Sequence, residues 1–136
     1  MQDKVFIDTN IVIYLYSEDE KDKQNIALKI LNENNNIAIS TQVINEISNV
    51  LFKKYKLSSE DVENVILEID NNIGVFDYNL NTQIKAVRLK GKYGFQYYDA
   101  LIIAAALEQE CSILFSEDMQ HNQVIENTLK IINPFL

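Results

Sequence analysis

The 136-residue sequence predicts a single α/β domain, with a mostly parallel sheet of four to five strands covered by helices on both faces. Short apolar runs of strand length alternate with longer segments whose apolar residues recur at helical spacing. Hydrophobic residues make up 47% of the chain, enough for a real core at this length. Only 3 Gly and 1 Pro interrupt it, so most of the chain should be regular structure.

Val5, Phe6 and Ile7 form the first strand, and Asp8-Thr9-Asn10 suits the helix start that follows. That helix carries Ile11, Val12, Leu15 and Tyr16; the polar stretch SEDEKDKQ then separates it from a second amphipathic run with Ile26, Ile30 and Leu31. Asn34 to Asn36 end the run, and Ile37 to Ile39 make the second strand. Ser40 or Thr41 is placed to cap a helix through Val43, Ile44, Ile47, Val50 and Leu51, closed by Lys53 to Lys56. Ser58 or Ser59 opens the next helix, with Asp61 and Glu63 in its first turn and Val62, Val65, Ile66 and Ile69 at helical spacing. These two helices read as a hairpin.

Ile73 to Phe76 are the third strand, followed by a helix from about Leu80 to Lys90 and a Gly91/Gly94 loop. From Asp99 the run ALIIAAALEQE is apolar on nearly every side, which predicts a central, buried helix. Ser112 to Phe115 give strand four, and Leu129 to Ile132 a fifth.

A formal charge of −8 argues against simple coating of a polyanion. Two basic clusters remain, Lys53, Lys54 and Lys56, and Lys85, Arg88, Lys90 and Lys92, readable as phosphate contacts or as solvated helix ends. The lone Cys111 has no partner for a disulfide, which fits a reducing, cytoplasmic setting. The opening MQDKVFID lacks the pattern of a secretory leader, and no run of eighteen apolar residues spans a membrane.

In parallel α/β sheets, chemistry gathers at the carboxyl ends of the strands. Asp8 follows strand one, Asp118 follows strand four, and Glu46 lies in the helix after strand two. Asp99 opens the buried helix that runs back antiparallel to the strands, so its first turn belongs to the same edge. Four clustered carboxylates raise one another's pKa and normally persist with a cation bound. Oxygen-only ligands favour magnesium or manganese, and phosphodiester hydrolysis is the chemistry such a site suits.

The segments FIDTN (6–10), QVINE (42–46), YYDALIIAAA (97–106), LFSED (114–118) and INPF (132–135) together resemble PIN domains, specifically VapC-type toxins. The resemblance spans essentially the whole chain. It implies a compact α/β/α sandwich and a Mg2+- or Mn2+-dependent endoribonuclease, the toxin of a type II toxin–antitoxin pair. It also implies metal-binding, catalytic roles for Asp8, Glu46, Asp99 and Asp118, with Thr9, Asn10 and Ser116 in support. Homodimerisation, an RNA substrate and an inhibiting protein antitoxin follow from the same likeness. Ser116 stands where many relatives carry threonine, which keeps the hydroxyl, and Glu117 is the reserve for Asp118.

Each signal has a plainer reading. Asp8 or Asp99 alone equally reads as a helix cap, and Glu46 alone as a solvated helix residue; only the four together outweigh this. His121, in MQHNQ, reads as a solvated loop histidine. Tyr97 and Tyr98 either stack on a base or pack in the core. Leu51, Phe52 and Tyr55 near the helical hairpin's turn offer a dimer or antitoxin surface, or serve internal packing. Three further functions are weighed: a catalytically silent PIN-like RNA-binding or scaffold module, an aspartyl-phosphate phosphatase built on Asp8, and a receiver-like domain with Asp77 as phosphoacceptor. Asn10 stands where the phosphatase needs a second acid, and all four acids are present, which disfavours a degenerate module.

Overall fold

The computed structural model describes residues 3–136. Its elements are β1 (Val5–Ile7), α1 (Thr9–Leu15), α2 (Lys21–Glu33), β2 (Ile37–Ser40), α3 (Thr41–Lys53) and α4 (Ser59–Asn72). They continue with β3 (Gly74–Phe76), α5 (Leu80–Tyr93), α6 (Tyr97–Glu108), β4 (Ile113–Phe115), β5 (Val124–Ile125) and β6 (Leu129–Ile132). One six-stranded sheet runs in the order β3-β2-β1-β4-β6-β5, parallel except where β5 pairs antiparallel with β6. The sheet thus has one strand more than the upper expectation. The added β5 lies in a segment too short and too polar to show as a strand.

The strand order decides where the helices lie. The chain steps outward from β1 to β2 to β3, then returns past β1 to β4 on its other side. With right-handed crossovers, that reversal puts α1–α4 on one face and α5–α6 on the other. The helix packing agrees: α1 packs on α2 and α3, α3 on α4, and α5 on α6. The layers are therefore helix, sheet, helix. The reversal also opens a crevice at the carboxyl ends of β1 and β4, where such sheets place their ligands.

Burial follows the hydropathy reading. Val5, Phe6 and Ile7 are wholly buried, as three consecutive residues must be when both faces of a strand are covered. Every residue from Ala100 to Ala106 is buried, because α6 lies between the sheet and α5. The alanines let α6 sit close to its neighbours while the isoleucines fill the spaces between. No helix of the described residues is long and apolar enough to cross a membrane.

Strand ends differ from expectation by one residue, with Ser40 inside β2 and Ile73 and Ser112 just outside β3 and β4, and three helix ends differ as well. α5 runs on through Gly91 to Tyr93, and only Gly94, at φ 81°, leaves the helix in the left-handed conformation that favours glycine. α6 begins at Tyr97, so Asp99 lies within its first turn and caps nothing. Ser40 stands at the N-cap of α3, but its buried hydroxyl makes no capping bond. Ser58, by contrast, caps α4 by accepting from the amide of Asp61 at 3.1 Å.

Candidate active site

Asp8 leaves β1 at the switch point between β1 and β4 and is the N-cap of α1. Its Oδ1 accepts the Thr9 amide at 2.7 Å, and its Oδ2 accepts the Ser116 hydroxyl at 2.9 Å. The cap reading and the site reading thus describe one side chain, fixed from both sides. The wholly buried Ser116 continues β4, so the two central strands end in a hydrogen-bonded pair.

Glu46, on α3, accepts the Thr9 hydroxyl at Oε2 and the Gln42 amide at Oε1, the latter at 3.0 Å. Asp118 accepts Asn10 Nδ2 at Oδ2, 3.0 Å. Asp99 comes in from the opposite helical layer. Asp8, Glu46, Asp99 and Asp118 line one cleft of about 340 Å³ together with Thr9, Asn10, Ile13, Asn49 and Val50. Four acids separated by up to 110 positions meet there, with no Lys, Arg or His among the lining side chains.

The electrostatics register this concentration of negative charge. Burial pushes the Asp8 carboxyl up to about 6 against the hydrogen bonds from Thr9 and Ser116, and the charges of Glu46 and Asp99 add to the rise. Asp99 is also raised, first by burial and then by Asp118 and Glu46. Among the described residues, no three Asp, Glu, His or Cys side chains stand in a ready-made metal shell. Glu46 and Asp118 are turned onto neutral donors instead. In charge and donor type, an all-oxygen set without an internal cation fits a hard divalent ion better than zinc.

Of the expected supporting residues, Thr9 holds Glu46, Asn10 holds Asp118 and Ser116 holds Asp8. Glu117 is turned elsewhere: it accepts Lys23 Nζ at 2.6 Å and the Tyr14 hydroxyl at 2.6 Å, outside the cleft lining. Burial alone would raise its pKa, but Lys23 and Tyr14 hold it below the usual range. Its backbone carbonyl accepts Asn133 Nδ2 at 3.0 Å, so the loop carrying Asp118 is clamped on two sides. His121 is half-buried and accepts the Asn133 amide at Nδ1, 3.0 Å, a structural contact rather than a free loop side chain.

The basic residues are not brought into the cleft. Lys92 is paired with Glu126 at 2.7 Å, and Lys90 Nζ donates to the Phe95 carbonyl at 3.3 Å. Arg88 and Lys92 line a separate groove with Glu108 and Glu126. Lys53 lies four residues beyond Asn49 and seven beyond Glu46, on the α3 stripe that borders the cleft, and Lys54 lies over the Tyr55 ring. Tyr97 packs on the core, whereas Tyr98 is 69% exposed beside Asp99. Leu51 is buried and Tyr55 packs inward, with its hydroxyl 3.1 Å from that of Ser17, so only Phe52 of that trio faces out. Asp77 is engaged by the Thr41 hydroxyl at 3.5 Å and does not line the cleft.

Sequence reasoning missed Gln42, buried beside Glu46, and the clamp of Lys23 and Tyr14 on Glu117. The four-residue spacing from Gln42 to Glu46 is the signal that pointed to the first. No sequence signal pointed to the second, because its members lie up to 103 positions apart.

A six-stranded switch-point sheet with acids at the ends of β1 and β4 defines a class, and the PIN domain family matches residues 5–126. The chain belongs to the PIN domain family. Among solved structures it is similar to a chain of a toxin–antitoxin complex from Klebsiella pneumoniae, at 21% identity and TM-score 0.74, covering 96% of this chain and 98% of that one. It is also similar to a chain of DNA-bound VapBC from Salmonella typhimurium (19% identity, TM-score 0.71, 94% and 96% covered). A third likeness is to VapC20 of Mycobacterium tuberculosis, a toxin that cleaves the sarcin-ricin loop (12%, TM-score 0.68, 85% and 92%). No curated protein matches the sequence.

Proposed function

We propose that this chain is a cytoplasmic, Mg2+- or Mn2+-dependent endoribonuclease, the toxin of a type II pair that a protein antitoxin restrains. The supporting observation is the convergence of Asp8, Glu46, Asp99 and Asp118 on a cleft that contains no counter-charge of its own. Membership of the PIN domain family and the likeness to chains of VapBC complexes support the same reading. Homodimerisation belongs to the proposal as well.

The four carboxylates would hold the cation, which supplies an activated water and offsets charge on the scissile phosphate. The chain's own residues do the positioning. Ser116 and the Thr9 amide fix Asp8, the Thr9 hydroxyl fixes Glu46, and Asn10 fixes Asp118. These donors are neutral, so they orient the acids without cancelling the charge that attracts a cation. Tyr98, exposed beside Asp99, offers a ring on which a base can stack.

Purified protein incubated with structured RNAs, with manganese or magnesium against a chelator, tests the reading. Cleavage should require the metal, disappear in Asp8→Asn and Asp99→Asn, and leave 5′-phosphate and 3′-hydroxyl ends. Cyclic 2′,3′-phosphate ends, or cleavage that survives in both variants, would refute it. Growth arrest on expression, relieved by co-expression of the neighbouring gene, tests the toxin part.

A further inference from the structure

One buried polar side chain beside the cleft is accounted for neither by the core nor by the set of acids. Gln42, in the first turn of α3, is 4% exposed. Its Nε2 donates to Glu46 Oε1 at 3.0 Å and to the Tyr98 backbone carbonyl at 3.2 Å. Tyr98 precedes Asp99 in the first turn of α6. One amide therefore ties the helix carrying Glu46 to the helix carrying Asp99, across the two layers of the sandwich.

The chemistry of the tie restricts what can stand at this position. Both partners are acceptors, so only the NH2 side of the amide satisfies them, and a flipped amide would set oxygen against carboxylate and carbonyl. The Gln42 Oε1 atom is buried without a partner among the described residues, which is an unfavourable state for an acceptor. Methionine or leucine would fill similar space without that cost, so the donors are what distinguish glutamine here. A lysine would donate too, but its charge would neutralise Glu46 and compete with any cation. A neutral double donor holds the acid in place and leaves its charge free.

We propose that Gln42 is a positioning residue that presents Glu46 to a divalent cation and fixes its separation from Asp99. The proposal rests on the metal-dependent reading of the cleft given above. Gln42→Met keeps the volume and removes both donors. In thermal melts titrated with manganese alone, its half-saturation concentration should rise about tenfold or more, the usual scale for losing a group that orients a ligand. At saturating manganese its KM for RNA should stay within about twofold of wild type, since Gln42 acts on the acid and not on the substrate. Should Gln42→Met fail to fold, Gln42→Asn, one methylene too short to reach both acceptors, must show the same rise. A lowered melting temperature with an unchanged manganese midpoint, or failure of both variants to fold, would assign Gln42 to structure alone and overturn the proposal. If wild type itself shows neither a manganese shift nor cleavage, the metal-dependent reading has failed; if wild type shifts and the variants shift alike, only the role of Gln42 has.

Discussion

In the proposed site, Asp8 and Asp99 would carry a conflict between stability and function that two substitutions can expose. The Asp8 carboxyl, near 6 in the fold, lies above its ordinary 3.8, so the folded state disfavours its charge. A group raised in this direction destabilises the metal-free fold at neutral pH, and the penalty fades as pH falls through the folded value. Its size is on the order of 2–3 kcal/mol for a shift of this kind. The glutamates held low by Lys23 and Lys92, Glu117 and Glu126, act in the opposite sense, so total stability against pH mixes the two. The comparison with Asp8→Asn separates them: the gap between the variant and wild type should be widest near pH 7 and narrow toward pH 4, measured by denaturant melts in chelator. Asn can still accept the Thr9 amide, and the Ser116 hydroxyl can turn to accept from it, so the cap geometry survives. Asp99→Asn should likewise raise the melting temperature without metal, by less than Asp8→Asn because Asp99 is only partly buried, while losing cleavage. Because Asp99 caps nothing, a large loss of stability in that variant would contradict the repulsion argument.

At the scale of elements, two glycines three residues apart should respond to alanine with opposite signs. Gly91 lies inside α5, and a Cβ added there meets nothing within 4 Å, so Gly91→Ala should stabilise by about 0.5–1 kcal/mol. Gly94 sits at φ 81°, where an L side chain is strained, so Gly94→Ala should cost about 1 kcal/mol or more in the same melts. Equal signs would mean that α5 ends elsewhere. The same helix shows why element ends were harder to read than elements. Periodicity placed α5, but two glycines in GKYG look alike in sequence, and only the backbone tells a tolerated glycine from a cap. β5 was illegible for a related reason. Val124 is exposed and Ile125 buried, two residues in a polar stretch, and the turn into β6 takes left-handed φ at Glu126 and Asn127 without the glycine that marks such hairpins. The five longer strands were legible because burial on both faces, or on one, leaves apolar runs.

At the scale of the whole molecule, the acids of the site were legible and their supports only partly so. Carboxylates placed at strand ends follow from the order of elements, and the spacing of Gln42 and Glu46 is a local signal, whereas the reach of Gln42 to Tyr98 and the Lys23–Glu117 clamp join residues far apart in the chain, which no local pattern encodes. The basic residues pose the reverse problem, since sequence showed two clusters and only the fold distinguishes them. On a chain of net charge −8, the proposed RNA substrate would have to be drawn to the cleft by local positive charge. In the α5 cluster Lys92 is already paired with Glu126, and the groove it shares with Lys85 and Arg88 contains Glu108 as well, so the three basic side chains there face two acids. Binding there would release few counterions. Lys53 extends the α3 stripe of Glu46 and Asn49, so a strand leaving the cleft along α3 would meet it first, with Lys54 next in the chain at the helix end. In an Asp99→Asn background, which keeps the RNA intact, Lys53→Gln/Lys54→Gln should weaken binding and flatten its salt dependence. The slope of log K against log salt should fall by about 0.7 for each phosphate of a single strand that is no longer neutralised. Arg88→Gln/Lys90→Gln/Lys92→Gln should change the slope less, although it removes three charges rather than two. A larger change from the triple variant would move the RNA path from α3 to α5.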